Sequence, residues 1–154
     1  MRLSSITALF AAAIAGAAAK PSPLRRGTRA ALRLIPRGGA GDAVAHPTSL
    51  AELTLLSERP GVVVVDFSAS WCGPCQKIGP VFAKLAEDVP AALFVKVDVD
   101  EVGDASAHFG VAALPTFIVF EDGVEKTRFQ GADEASLRQA LDDRGCPPPR
   151  NDIF

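Results

Sequence analysis

Four consecutive valines, Val62 to Val65, run directly into Asp66 and Phe67, and the chain then reads Ser68-Ala69-Ser70-Trp71-Cys72-Gly73-Pro74-Cys75. A continuous β-branched run of this kind reads as a strand buried on both faces, which requires a sheet around it and helices above and below. The pair of cysteines that follows begins a helical pattern, with Ile78, Val81, Phe82 and Leu85 on one face. Pro80 falls inside that pattern and is expected to kink it.

The rest of the chain alternates in the same way. A short strand is expected over residues 44–46, and a helix capped by Thr48 or Ser49 runs to Ser57 before Pro60 and Gly61 end it. A second apolar strand spans residues 93–99, a short helix runs from residue 101 or 102 to Phe109, and a third strand spans residues 116–120. Asp122-Gly123 reads as a hairpin turn leading to a partner strand over residues 124–130. Asp133 caps a last amphipathic helix ending near Arg144 and Gly145, beyond which Pro147, Pro148 and Pro149 cannot continue it. The fold class expected is therefore α/β, a central mixed β-sheet flanked by helices on both faces.

Two cysteines separated by two residues at a helix start can close a disulfide with little backbone movement, and the helix N-terminus favours the thiolate of the first. Cys72 is accordingly read as a nucleophile, and Cys75, one turn inward, as the thiol that attacks the mixed disulfide and releases the substrate. Asp66 is out of place in so apolar a strand. Burial raises a carboxyl pKa and makes Asp66 a candidate proton acceptor for Cys75, the alternative being a local backbone cap at the end of the strand. Zinc competes for the Cys-x-x-Cys motif, but a tetrahedral site wants four ligands and only Cys146, His46 and His108 remain, with no second close pair. No metal and no cofactor is expected, and both histidines read as ordinary surface or boundary residues.

Charge divides the chain. Seven of the 16 basic residues precede the first acid, Asp42, which leaves 18 acids against nine bases in the remainder. That acidic body lacks the clustered Lys and Arg that phosphate binding needs, so nucleic acid is not an expected partner. Residues 1–19 resemble a signal peptide ending in Ala17, Ala18 and Ala19, and residues 20–41, with five Arg and no acid, resemble an organelle transit segment. The stretch is Ala-rich and slightly short for a membrane anchor. The two-part arrangement resembles the bipartite plastid presequences of algae with secondary plastids, which favours a plastid, with the mitochondrion or secretory pathway as alternatives. The domain proper is expected over residues 42–145, followed by a Pro-rich tail over residues 146–154 in which Cys146 is incidental to the exchange site.

The run from Val65 to Cys75 resembles the active-site strand and loop of the thioredoxin family almost residue for residue, and Leu114-Pro115-Thr116-Phe117, Asp122-Gly123 and Gly131 extend the resemblance over residues 44–141. It implies the thioredoxin fold, protein-disulfide reduction through a redox-active Cys72–Cys75 disulfide, and a cis bond at Pro115 that sets its loop against the two sulfurs. It further implies that client peptides lie in a shallow groove lined by Trp71, Gly73, Pro74, the Leu114 backbone, Pro115 and Gly131. Lys96 matches a lysine that tunes the buried carboxylate, and Gln76 replaces a basic residue common in the family. The partners implied are disulfide-containing client proteins and a flavin- or ferredoxin-linked thioredoxin reductase. An oxidising isomerase of the secretory pathway is a rival on the same fold, although such enzymes usually place His where this chain has Pro74. A scaffold whose cysteines no longer cycle is the other.

Overall fold

The computed structural model describes residues 43–149; the two leader segments and the last five residues lie outside them. Nine elements follow in the order β1 (Val44–Ala45), α1 (Leu50–Ser57), β2 (Val62–Ser68), α2 (Gly73–Asp88), β3 (Ala92–Asp98), α3 (Gly103–His108), β4 (Thr116–Glu121), β5 (Val124–Gln130) and α4 (Glu134–Asp142). The five strands form one sheet in the order β1-β3-β2-β4-β5. β1, β3 and β2 are parallel, and β4 and β5 are antiparallel to their neighbours. The sheet is mixed, as expected, and the valine strand lies at its centre with all seven residues buried.

Alternation along β2 sorts the two faces. Val62 and Val64 join Ile78, Phe82 and Leu85 of α2 and Leu137 and Leu141 of α4 in one core. At its heart Phe82 meets Phe94 edge-on at 5.1 Å and Phe117 at 5.9 Å. Phe67 points to the opposite face, where its ring lies 5.5 Å from that of Phe109 at the end of α3. α1, whose Leu53 and Leu56 are fully buried, packs against β2 and α3.

The local signals place most boundaries within a residue or two. Ser49 caps α1 by accepting from the Glu52 N–H, and Asp133 caps α4 through the N–H groups of Ala135 and Ser136. β1 stops one residue short of the span expected, and α4 stops at Asp142 rather than near Arg144. Val99 leaves β3 but still donates its N–H to the Ser68 carbonyl at 2.9 Å, and it packs against the cluster of Ala69, Cys72 and Cys75, so the apolar pattern runs past the strand. Pro80 sits inside α2, which continues through it as one helix to Asp88.

The hairpin turn takes positive φ at both central residues, Asp122 at 53° and Gly123 at 78°. A Cβ on Gly123 would stand 3.3 Å from the Cα of Glu58, so this glycine is needed for both its backbone and its emptiness. Gly123→Ala is expected to cost about 1–2 kcal/mol in urea unfolding. An unchanged midpoint would show that the turn relaxes away from Glu58 at no cost.

Candidate active site

The site is assembled where β2 ends and α2 begins. Cys72 is the N-cap of α2, Gly73 and Pro74 open its first turn, and the Cys72 Sγ accepts from the Cys75 N–H at 3.3 Å. Pro74 occupies a position whose N–H would have no partner within the helix. The two sulfurs are joined as a disulfide, with the Cα atoms 5.3 Å apart. Both cysteines are buried, Cys72 at 5% and Cys75 at 2% exposure, packed with Ala69 and the partly buried Val99 and Leu114. In this oxidised form, the difference in exposure expected between them is small.

Asp66 lies at 0% exposure, and neither carboxylate oxygen has a hydrogen-bond partner among the described residues. Strand alternation puts it on the face of Val62 and Val64, beneath α2, the helix that carries Cys75. Lys96 is its register partner on β3, and a Cβ on Gly79 of α2 would come 3.8 Å from the Lys96 Nζ. Lysine and aspartate therefore share the space under one helix. Burial pushes the Asp66 carboxyl up from 3.8 to about 7, and the nearby Lys96 charge holds it lower than burial alone would. Full burial between Val65 and Phe67 excludes an exposed strand-end cap.

Trp71 is 69% exposed, far from a core aromatic, and its indole Nε1–H donates to Asp100 Oδ2 at 2.8 Å. Beside the disulfide a groove of about 470 Å³ runs between Trp71, Cys72, Gly73 and Pro74 on one side and Leu114 with its preceding residues on the other. Leu114–Pro115 is a cis peptide. Pro115 is buried, directly before the first residue of β4. Pro115 and Gly131 lie outside the lining of the groove and are joined to each other, the Gly131 N–H donating to the Pro115 carbonyl at 2.9 Å. Gly131 holds a φ of 94°, a backbone that favours glycine.

Gln76 turns back over the site loop and donates from Nε2 to the Ser70 carbonyl at 2.7 Å, so this position ties the loop rather than only lacking a charge. Asp100, Val99, Ser106 and the stretch from Val111 to Ala113 belong to the site but were not singled out from sequence. Asp100 appeared there only as one acid among many.

His46 and His108 are exposed. Among the described residues no three His, Cys, Asp or Glu side chains converge as a metal site would need, and no helix is long and apolar enough to cross a membrane. Cys146, which opens the Pro-rich tail and is incidental to the exchange site in the sequence reading, is 9% exposed and packs into the core with residues of α2 and α4.

The arrangement is a disulfide closed at a helix N-terminus, able to open to a dithiol, with a buried carboxyl of raised pKa beneath the same helix and a groove along one side. Known proteins are similar to the chain over this region. The family model for thioredoxin matches residues 52–143. A thioredoxin of Ictalurus punctatus is 48% identical over 104 residues, covering 65% of this chain and 97% of its own length. An H-type thioredoxin of Oryza sativa subsp. indica is 44% identical over 91 residues, 59% of this chain and 75% of that protein. The oxidised mitochondrial thioredoxin 3 of Saccharomyces cerevisiae superposes with a TM-score of 0.62 at 36% identity, covering 66% of this chain and 95% of that one.

Proposed function

This chain belongs to the thioredoxin family, and on that premise we propose how its residues divide the work of thiol–disulfide exchange. The protein is a protein-disulfide reductase, with disulfide-containing proteins as substrates and a thioredoxin reductase as partner. The observation that carries the reading is the Cys72–Cys75 disulfide closed across the first turn of α2.

The Cys72 thiolate, favoured by the N–H groups and dipole of α2, attacks one sulfur of a client disulfide. A Cys72–client bond forms, the client S–S bond breaks, and the other client sulfur departs as a thiolate. Cys75 then loses its proton to Asp66 and attacks the Cys72 sulfur. This closes the intramolecular disulfide and releases the second client thiol. Two electrons have passed to the client, and the proton on Asp66 is returned through solvent. Asp66 suits the role because its pKa near 7 matches the working pH. Lys96 keeps that value from rising further.

The groove bounded by Trp71, Gly73, Pro74 and Leu114 takes the client chain alongside its disulfide, with Pro115 and Gly131 fixing the wall from which Leu114 projects. Electrons return from a thioredoxin reductase, flavin- or ferredoxin-linked. Each can be offered with its own donor, and recovery of Cys72 and Cys75 thiols identifies the one that serves.

The basic leader supports delivery to an organelle, the plastid first and the mitochondrion or secretory pathway as alternatives. A fusion of residues 1–41 to a fluorescent protein reads the address directly. Exchange itself is tested by mixing the reduced full chain with insulin: loss of the Cys72 and Cys75 thiols matched by new insulin thiols is expected, and no transfer would refute it.

A further inference from the structure

The wall of the groove opposite Trp71 is built from Val111, Ala112, Ala113 and Leu114, small or apolar side chains that give a client chain little to grip. The position of the wall's backbone therefore decides the fit. Three hydrogen bonds tie it: the Val111 N–H to the Ser106 carbonyl at 2.8 Å, the Gly131 N–H to the Pro115 carbonyl at 2.9 Å, and the Thr116 hydroxyl to the Ala113 carbonyl at 2.7 Å. The first two join backbone to backbone. The third is the only one of the three that a side chain supplies.

Thr116 is well placed for the task. It opens β4, where its backbone is held between Phe67 of β2 and Gln130 of β5. At 1% exposure its hydroxyl is sheltered from competing water. It thus links a strand held between two neighbours in the sheet to a loop that reaches the groove.

The geometry points to Thr116 as a positioning residue for exchange: through its hydroxyl it holds the Ala113–Leu114 wall where a client chain lies beside Cys72. This rests on the reading that the groove takes the client. Valine keeps the branched shape and deletes the hydroxyl. Ala113 is exposed, so its freed carbonyl can bond to water and the wall can shift while the sheet stays whole.

The test compares second-order rates of the reduced full chain with insulin and with 2-hydroxyethyl disulfide, which is too small to span the groove. In Thr116→Val the insulin-to-small-disulfide ratio falls about threefold to tenfold, and in Thr116→Ser it stays within about twofold of the parent. If the valine variant fails to fold, Thr116→Ala against Thr116→Ser makes the same comparison. An unchanged ratio on losing the hydroxyl, or an equal fall in the serine variant, overturns the inference. A parent chain that reduces the small disulfide but never insulin would instead refute client binding in the groove.

Discussion

With Cys72 replaced by serine, insulin reduction falls by on the order of a thousandfold or more, to the background set by buffer thiols. A serine hydroxyl is not ionised at neutral pH and does not form a disulfide, so nothing else at the N-cap of α2 replaces the lost nucleophile. Replacing Cys75 instead stops the reaction one step later. Cys72 still attacks, but the thiol that would attack its sulfur is gone, and the client remains bound. In Cys75→Ser the chain accumulates as a covalent adduct with its client, released by dithiothreitol and visible as the summed mass. The experiment belongs in a Cys146→Ala background, because Cys146 is a third thiol, although a buried one. Adducts that form equally when Cys72 is also replaced would remove it from the nucleophile's role.

The second large effect concerns stability. The Asp66 carboxyl stands at about 7 in the folded protein against 3.8 in an exposed chain. Between those values the unfolded chain has given up its proton and the folded one has kept it, so the folded state binds more protons and stability falls as pH rises. The contribution is complete below about pH 4 and lost above about pH 7, and three units correspond to about 4 kcal/mol. Asp66→Asn removes the charge that is costly at high pH. At pH 8 the oxidised variant is expected to be more stable than the parent by about 2–4 kcal/mol, the lower end reflecting an amide buried without a partner. The gain disappears below about pH 4. Urea unfolding at both pH values measures it, and equal stability at pH 8 would mean that the carboxylate is not destabilising where it lies. The same substitution slows insulin reduction at pH 7 by at least about tenfold and flattens the rate profile between about pH 6 and 8. The conflict is instructive: the fold would be firmer without the group that the chemistry uses.

What was legible in the sequence was whatever is encoded locally. The valine run, the caps at Ser49 and Asp133, the Asp122-Gly123 turn and the Cys-x-x-Cys spacing each state their structure within a few residues. Asp66 was legible for the same reason, as a charge where the strand pattern leaves no room for one. The wall of the groove was not. Val111, Ala112 and Ala113 are chemically plain, and they acquire a role only when the fold brings their loop beside Cys72, some 40 residues earlier in the chain. Asp100 was hidden among neighbouring acids, and only its bond to the Trp71 indole distinguishes it. The burial of Pro115 has no local signal either, and its carbonyl takes the Gly131 N–H from beyond β5, a contact that only tertiary structure makes. The burial of Cys146 was hidden by the prolines that follow it. Gly145, at a φ of 69°, turns the chain back, and the Cys146 N–H reaches the Leu141 carbonyl at 3.0 Å, which returns the thiol to the core.

The direction in which Cys72 and Cys75 move electrons decides between a reductase and an oxidant. Their equilibrium can be read in the full chain by titration in dithiothreitol buffers, with the fluorescence of Trp71, the single tryptophan, reporting the state of the adjacent disulfide. Thioredoxins as a class lie near about −270 mV, and a value there is the result expected for a reductase. A value near about −180 mV, where protein disulfide isomerase lies, would contradict it and make the pair an oxidant of its clients.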